Sequence, residues 1–180
     1  MINIPRLHLK LWAAIFGMAL SINTALSADL IFPNIQINEP ISNNNITFDS
    51  LRPSTNHVVL ILDASSPNSL AILNTLRKKE YNGVGLIIII ASPSAQANAF
   101  IKDQKALLPN ATWLHQTTQI LMPALALNGS PFMFGNDAKN QTKWHYAGVP
   151  VPLEKTLPLV RDWVNKSQAL GLTTPLKQLN

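Results

Sequence analysis

His57-Val58-Val59-Leu60-Ile61-Leu62-Asp63-Ala64-Ser65-Ser66-Pro67-Asn68-Ser69-Leu70-Ala71-Ile72-Leu73-Asn74-Thr75-Leu76 is the stretch that decides how this chain folds. Val58–Leu62 is apolar at every position and rich in β-branched residues, the pattern of a strand buried on both faces. Ser66-Pro67-Asn68-Ser69 follows it as a short turn with a proline, opening an amphipathic segment, Leu70–Leu76. Leu70, Leu73 and Leu76, with Ile72 beside them, are expected to form one apolar helix face. Ser69 is a candidate cap for that helix.

The same alternation continues downstream. Asn82-Gly83 ends the helix, and Val84–Ala91 (VGLIIIIA) reads as a strand central in a sheet covered on both sides. Ser92-Pro93-Ser94 starts a second helix carrying Ala97, Phe100, Ile101, Leu107 and Leu108 on its apolar side, which stops at Pro109-Asn110. Two strand–helix units joined by short loops imply right-handed parallel crossovers. Trp113-Leu114-His115 is a brief extended piece, and Gln119–Leu127 a short helix bent by Pro123. Gly129-Ser130-Pro131 then leads into a strand at Phe132-Met133-Phe134. Asn136-Asp137-Ala138 turns the chain into an antiparallel partner, Thr142–Ala147. A last helix places Leu153, Leu157, Val160 and Val164 on one stripe and is regular from about Thr156, because Pro158 must sit in its first turn. Upstream, Leu30-Ile31-Phe32, Ile35-Gln36-Ile37 and Ile46-Thr47-Phe48 are short apolar pieces, expected to give two small strands with a polar turn at Asn43-Asn44-Asn45. The order is β-α-β-α followed by β-β-α, an α/β sandwich with an N-terminal β extension.

The N-terminus reads as an export signal. Arg6 and Lys10 form a basic region, Leu11–Leu20 (LWAAIFGMAL) an apolar core, and Ala25-Leu26-Ser27 or Leu26-Ser27-Ala28 a cleavage site before Ala28 or Asp29. The alternative is an uncleaved membrane anchor, for which this apolar run is short against the roughly 20 residues a spanning helix needs. The expected organisation is a signal peptide over 1–28, a β extension over 29–55, one domain over 56–168 and a flexible tail over 169–180. Among 180 residues there is no cysteine, so stability in an oxidising compartment must come from packing. Without Arg6 and Lys10 the basic residues number 12 against 9 acidic ones. That excess is mild, and Arg77-Lys78-Lys79 is its one run, best placed at a helix C-terminus. Nucleic-acid binding, which calls for a basic stripe, is not expected. Nothing in the sequence calls for a cofactor.

With these punctuation marks in this order, residues 56–166 resemble the thioredoxin-like family. Ser66-Pro67-Asn68-Ser69 matches the turn that carries the family's Cys-Pro-x-Cys pair. Gly129-Ser130-Pro131-Phe132 is similar to its cis-proline segment, and Tyr146-Ala147-Gly148 to the glycine that closes its hairpin. The resemblance implies a three-layer α/β/α sandwich around a central mixed sheet. The lead-in over 30–52 looks like that of exported bacterial thioredoxins. The family's chemistry is missing, because a thiolate must attack sulfur and a serine hydroxyl cannot. The family's buried acid has no counterpart in Val58–Leu62, and Asp63 reads as a turn residue.

What the resemblance leaves is a binding or assembly role in the periplasm. In the family, the backbone beside the cis-proline pairs with extended peptides, which requires no sulfur. The expected contact residues are Ser66, Pro67, Asn68, Ser69, Ser130, Pro131 and, if exposed, Trp144. Partners would be envelope proteins or extended peptides, with contact to a membrane only through an uncleaved signal. Cysteine-free relatives in conjugative and type IV secretion machinery suggest a setting. The alternatives are a non-thiol enzyme and a peptide-holding chaperone. A serine hydrolase would join Ser66 to His57, His115 or His145, though no nucleophile elbow surrounds Ser66. A copper site would draw on Met122, Met133, His115 and His145, although both methionines suit core gaps. Trp113, Trp144 and Trp163 are expected to pack.

Overall fold

A strand without a polar face must be covered on both sides. In the computed structural model, which describes residues 30–171 except 41, 43, 52, 78–80 and 149–151, the chain supplies both covers. Residues 1–29, which include the expected signal segment, and the residues after 171 lie outside the described residues. The strands are β1 (Leu30–Ile31), β2 (Gln36–Asn38), β3 (Asn45–Thr47), β4 (His57–Leu62), β5 (Leu86–Ala91), β6 (Thr112–Gln116), β7 (Phe132–Asn136) and β8 (Gln141–Ala147). The helices are α1 (Phe48–Leu51), α2 (Pro67–Arg77), α3 (Ser94–Gln104), α4 (Thr118–Ala124) and α5 (Thr156–Gly171).

All eight strands form one mixed sheet in the order β1-β8-β7-β4-β5-β6-β2-β3. β4 and β5 are parallel from Val58↔Leu86 to Leu62↔Ile90, and β6 continues the parallel set from Ile87↔Thr112. Because β4, β5 and β6 advance one way across the sheet, right-handed crossovers place α2 and α3 on the same face. α5 returns to that face. Leu60, Leu62, Ile88 and Ile90 are sealed there under Ile72, Leu73 and Leu76 of α2, Ile101 of α3, and Leu157, Val160 and Val164 of α5. β7 runs antiparallel to β4, with Ile61 opposite Phe132, and β8 pairs back on β7.

The opposite face belongs to α4 and the N-terminal lead-in. Val59, Ile61, Ile87 and Ile89 are covered by Leu121 and Met122 of α4 together with Phe32, Ile35, Ile37 and Phe48. β1 lies against β8 at one edge of the sheet, whereas the β2–β3 hairpin reaches β6 at the other through Asn38↔His115. Residues 30–38 therefore cross the whole sheet. Phe32 packs 4.2 Å from the Phe48 ring and edge-on to Phe134 at 5.4 Å. Full burial of such a side chain stabilises by about 1.5–3 kcal/mol. The lead-in is thus part of the second layer, not an appendage beside it.

Several local expectations shift. Leu70 does not join the α2 core face: it is 40% exposed, and the buried stripe is Ser69, Ile72, Leu73 and Leu76. With the helix starting at Pro67, a stripe spaced three and four residues apart begins at Ser69 and passes Leu70 by. Val84 is likewise exposed, because Gly85 (φ 72°) turns the chain there and the strand starts at Leu86. A side chain at Gly85 would meet Val164 of α5 at 2.6 Å. Phe48 opens a helical turn where a third apolar strand position was expected. Leu107 stays at the surface while Leu108 is buried. α4 spans only Thr118–Ala124 with Pro123 in its last turn, and α5 begins at Thr156 and runs on to Gly171.

The lower end of β4 is unusually polar. His57 is fully buried, its Nδ1 3.2 Å from the Thr55 carbonyl, and Asn136 opposite it accepts a 2.9 Å bond from the Thr142 hydroxyl. Trp163 of α5 shares its indole N–H between the carbonyls of His57 and Asn136, at 3.2 and 3.0 Å. Trp144 stands edge-on to Trp163 with centroids 6.0 Å apart and lies flat over Gly135. A Cβ at Gly135 would fall 1.9 Å from Trp144 Cε2.

Two predictions follow from this packing. Gly135→Ala should force Trp144 out of place and lower stability by about 1–3 kcal/mol in denaturant unfolding. Adding Trp144→Leu to that variant should recover part of the loss; additive losses would show that the indole is not what glycine accommodates. The second concerns pH. Burial holds both His57 and His115 below the usual histidine range, and for His57 the Thr55 carbonyl and Asp137 offset this only in part. With folded pKa values under the unfolded value of about 6.5, the unfolded chain binds more protons in the interval between them. The unfolding temperature should therefore be flat above about pH 6.5 and fall below it. His57→Gln should flatten that fall, and a wild-type midpoint unchanged on acidification through this range would refute the reading.

Candidate functional site

Because Ile61 pairs with Phe132, the loop leaving β4 and the loop entering β7 emerge side by side at one end of the sheet. The first carries Asp63–Ser66 into α2, and the second carries Gly129-Ser130-Pro131. The structure thus brings together Ser66, Pro67, Asn68 and Ser69 with Ser130 and Pro131 at one corner. The Ser130–Pro131 peptide is cis, as the family's segment has it. The Pro131 carbonyl accepts the N–H of Gly148 at 2.8 Å, tying in the end of the β7–β8 hairpin.

The first loop is fastened at every amide. The Asp63 N–H donates to the Ser69 hydroxyl at 3.1 Å and the Ala64 N–H to the Ser92 hydroxyl at 3.0 Å. The Ser65 N–H donates to the Asp63 carboxylate at 2.7 Å and the Ser66 N–H to the Asp63 carbonyl at 3.2 Å. Asp63 is the turn residue the sequence suggested. Ser69 does something else than cap: it lies in the first turn of α2, fully buried, and its oxygen reaches back to the strand exit. A buried amide left without a partner costs roughly 1–3 kcal/mol, so this hydroxyl has a structural task. Ser92 shares that task and was not singled out from the sequence. Its one signal is position, as the first polar residue after a wholly apolar strand. Thr118 acts similarly one loop away, donating to the Ala91 carbonyl at 2.8 Å.

The exposed part of the corner is small. Pro67 and Asn68 face solvent, Ser66 and Ser130 are half-buried, and Pro131 is buried. Neither the N–H nor the C=O of Ser130 hydrogen-bonds within the described residues, in contrast to the fastened loop opposite. Trp144 lies outside this corner, half-buried between Gly135, Trp163 and Tyr146. Tyr146, 43% exposed on the same strand, is the accessible aromatic there. The alternation of β8 carried that signal, since Trp144 and Tyr146 share a face.

Among the described residues no histidine is placed to activate Ser66. His57 lies at the far end of β4, roughly 17 Å from Leu62 at about 3.3 Å per residue. His115 is sealed, with neither ring nitrogen hydrogen-bonded, and His145 sits 6.4 Å from the Phe134 ring on β8. The copper set also comes apart. Met133 is in the core under α2 and α5, and Met122 belongs to α4 itself, on the opposite face of the sheet. Two sulfurs separated by the sheet cannot share one ion. Among the described residues no helix is long and apolar enough to cross a membrane.

No family model and no curated protein matches the sequence. Solved structures do match. The thiol peroxidase from Chromobacterium violaceum is 14% identical, with 74% of this chain and 85% of that chain covered at a TM-score of 0.55. The thioredoxin domain of a thiol-disulfide oxidoreductase from Bacteroides vulgatus is 12% identical, covering 76% and 97% at 0.55. A secreted disulfide oxidoreductase of Mycobacterium tuberculosis is 13% identical, covering 70% and 96% at 0.50. At such identities the likeness is one of fold. The chain has a thioredoxin-like fold without a single cysteine, and Ser66-Pro67-Asn68-Ser69 stands where that fold carries its thiol pair.

Proposed function

We propose that this protein is an exported, redox-inactive thioredoxin-like domain that binds extended polypeptide at the Ser66-Pro67-Asn68 and Ser130-Pro131 corner. The observation that carries this reading is Ser130, whose backbone donor and acceptor are both unengaged within the described residues, beside a loop held at every amide. A rigid wall with one open backbone residue suits strand addition, in which main-chain hydrogen bonds supply affinity. The signal-like N-terminus and the secreted Mycobacterium tuberculosis neighbour support export. The periplasm is the compartment this reading assigns. Within it, a conjugative transfer or type IV secretion apparatus is the setting, supported by the family parallel alone. A hydrolase reading loses its base, as described above.

The test uses amide NMR with a permanently unfolded, carboxymethylated polypeptide as the probe. The amides of Asn68, Ser130 and Phe132 should shift on titration. Ser130→Pro, which removes the N–H, should weaken binding about tenfold, the effect of roughly 1.4 kcal/mol. Thr112→Arg, at the far end of the sheet, should leave it unchanged. Shifts confined to other surfaces, or equal affinity for all three proteins, would place binding elsewhere. Insulin reduction by the wild-type protein should be blank.

A further inference from the structure

The chain contains two Asn-Gly pairs, Asn82-Gly83 and Asn128-Gly129, and the fold treats them in opposite ways. An asparagine followed by glycine can cyclise, because the glycine Cα next to the attacking backbone nitrogen carries no side chain to crowd its approach to the carboxamide. The chemistry requires that the asparagine side chain and the following nitrogen be free to approach one another. Identical dipeptides in different surroundings therefore report on structure alone.

Asn82-Gly83 is pinned. The Asn82 Oδ1 accepts the Val84 N–H at 3.2 Å, and its carbonyl accepts the Asn110 N–H at 2.9 Å. The Gly83 carbonyl accepts the Leu86 N–H at 3.1 Å. Gly83 is buried, and a Cβ placed on it would lie 2.7 Å from the Ala111 nitrogen. Closing a ring here would break the Val84 bond and push the backbone into Ala111. Asn128-Gly129 is the reverse. Both residues are exposed, neither makes a hydrogen bond within the described residues, and nothing lies within 4 Å of where a Gly129 Cβ would be.

We infer that Asn128 is a self-modification site, converting spontaneously to aspartate and isoaspartate in the folded protein while Asn82 is protected. The Gly129 nitrogen attacks the Asn128 Cγ, forming an N–Cγ bond as the Cγ–Nδ2 bond breaks. Ammonia leaves with the proton from the Gly129 nitrogen, and a succinimide remains. Water then opens the ring at either carbonyl. Attack on one side yields aspartate, and attack on the other yields isoaspartate with an extra carbon in the main chain. Water is the only co-reactant, and no oxidant or metal is involved. Either product places a new carboxylate two residues before Ser130. The isoaspartate also lengthens the backbone that leads into Ser130-Pro131.

The experiment is peptide mapping by mass spectrometry after incubation of the intact protein at mildly alkaline pH, alongside a sample in denaturant. In denaturant the two sites should react at similar rates, since their chemistry is the same. In the folded protein Asn128 should react faster than Asn82 by an order of magnitude or more. Asn128→Gln should abolish the product at that position and leave Asn82 as it was. Equal rates at the two sites in the folded protein would overturn the proposal. So would slowing of Asn128 by folding as great as that of Asn82. The measurement involves no partner, so its outcome is independent of whether the corner binds peptide.

Discussion

The whole structure depends on Val58–Leu62 having no polar side. A strand of this kind cannot rest at a surface, so both of its faces need a layer. The crossovers that follow it are right-handed and advance in one direction, which fills one face with α2 and α3. The chain has then used its regular means of covering the sheet, and the second face still lies open. α4 is short and covers it only in part. Phe32, Ile35, Ile37 and Phe48 complete the layer, drawn from residues that precede the strand they cover.

The same constraint shapes the corner. The strand ends abruptly at Asp63, and the next amides leave the sheet with no ladder partner. Two serine hydroxyls, from α2 and from the loop after β5, take up two of them. Serine suits this because a hydroxyl is a good acceptor for a buried N–H, where sulfur is a weak one. At Ser69 the hydroxyl thus serves as a fastening for the Asp63 N–H. The loop is a fixed wall, and beside it Ser130 leaves its backbone N–H and C=O unengaged within the described residues.

Much of this was legible in the sequence. The buried strands could be read because Val58–Leu62 and Leu86–Ala91 leave no ambiguity of face. The turns could be read because Asn82-Gly83, Pro109-Asn110 and Asp137 mark them chemically. The order of elements, with Ser-Pro at two fixed places, was enough to suggest the fold. What escaped were matters of phase and of distance. Leu70 looks like core until the helix start is known, since a shift of one residue rotates the face by about 100°. Ser92 could not be joined to Ala64, nor Trp144 to Gly135, because those contacts link residues far apart in sequence. The two methionines looked like possible co-ligands only while the sheet between them was unseen.

The lead-in has a mechanical meaning as well as a thermodynamic one. Residues 30–38 run transversely across a sheet whose strands are otherwise held only by their neighbours, and they are attached at both rims, to β8 and to β6. Such a segment acts as a girth. The outer strands cannot splay apart unless Phe32 and Ile37 are withdrawn from the core between them. A load applied through the chain upstream of Leu30 would reach the two-residue β1–β8 pairing first and peel it open. The deeper attachment at Phe32 would then carry the force in shear against Phe48 and Phe134. The rim next to β8 would give way under tension well before the corner or the central strands were disturbed.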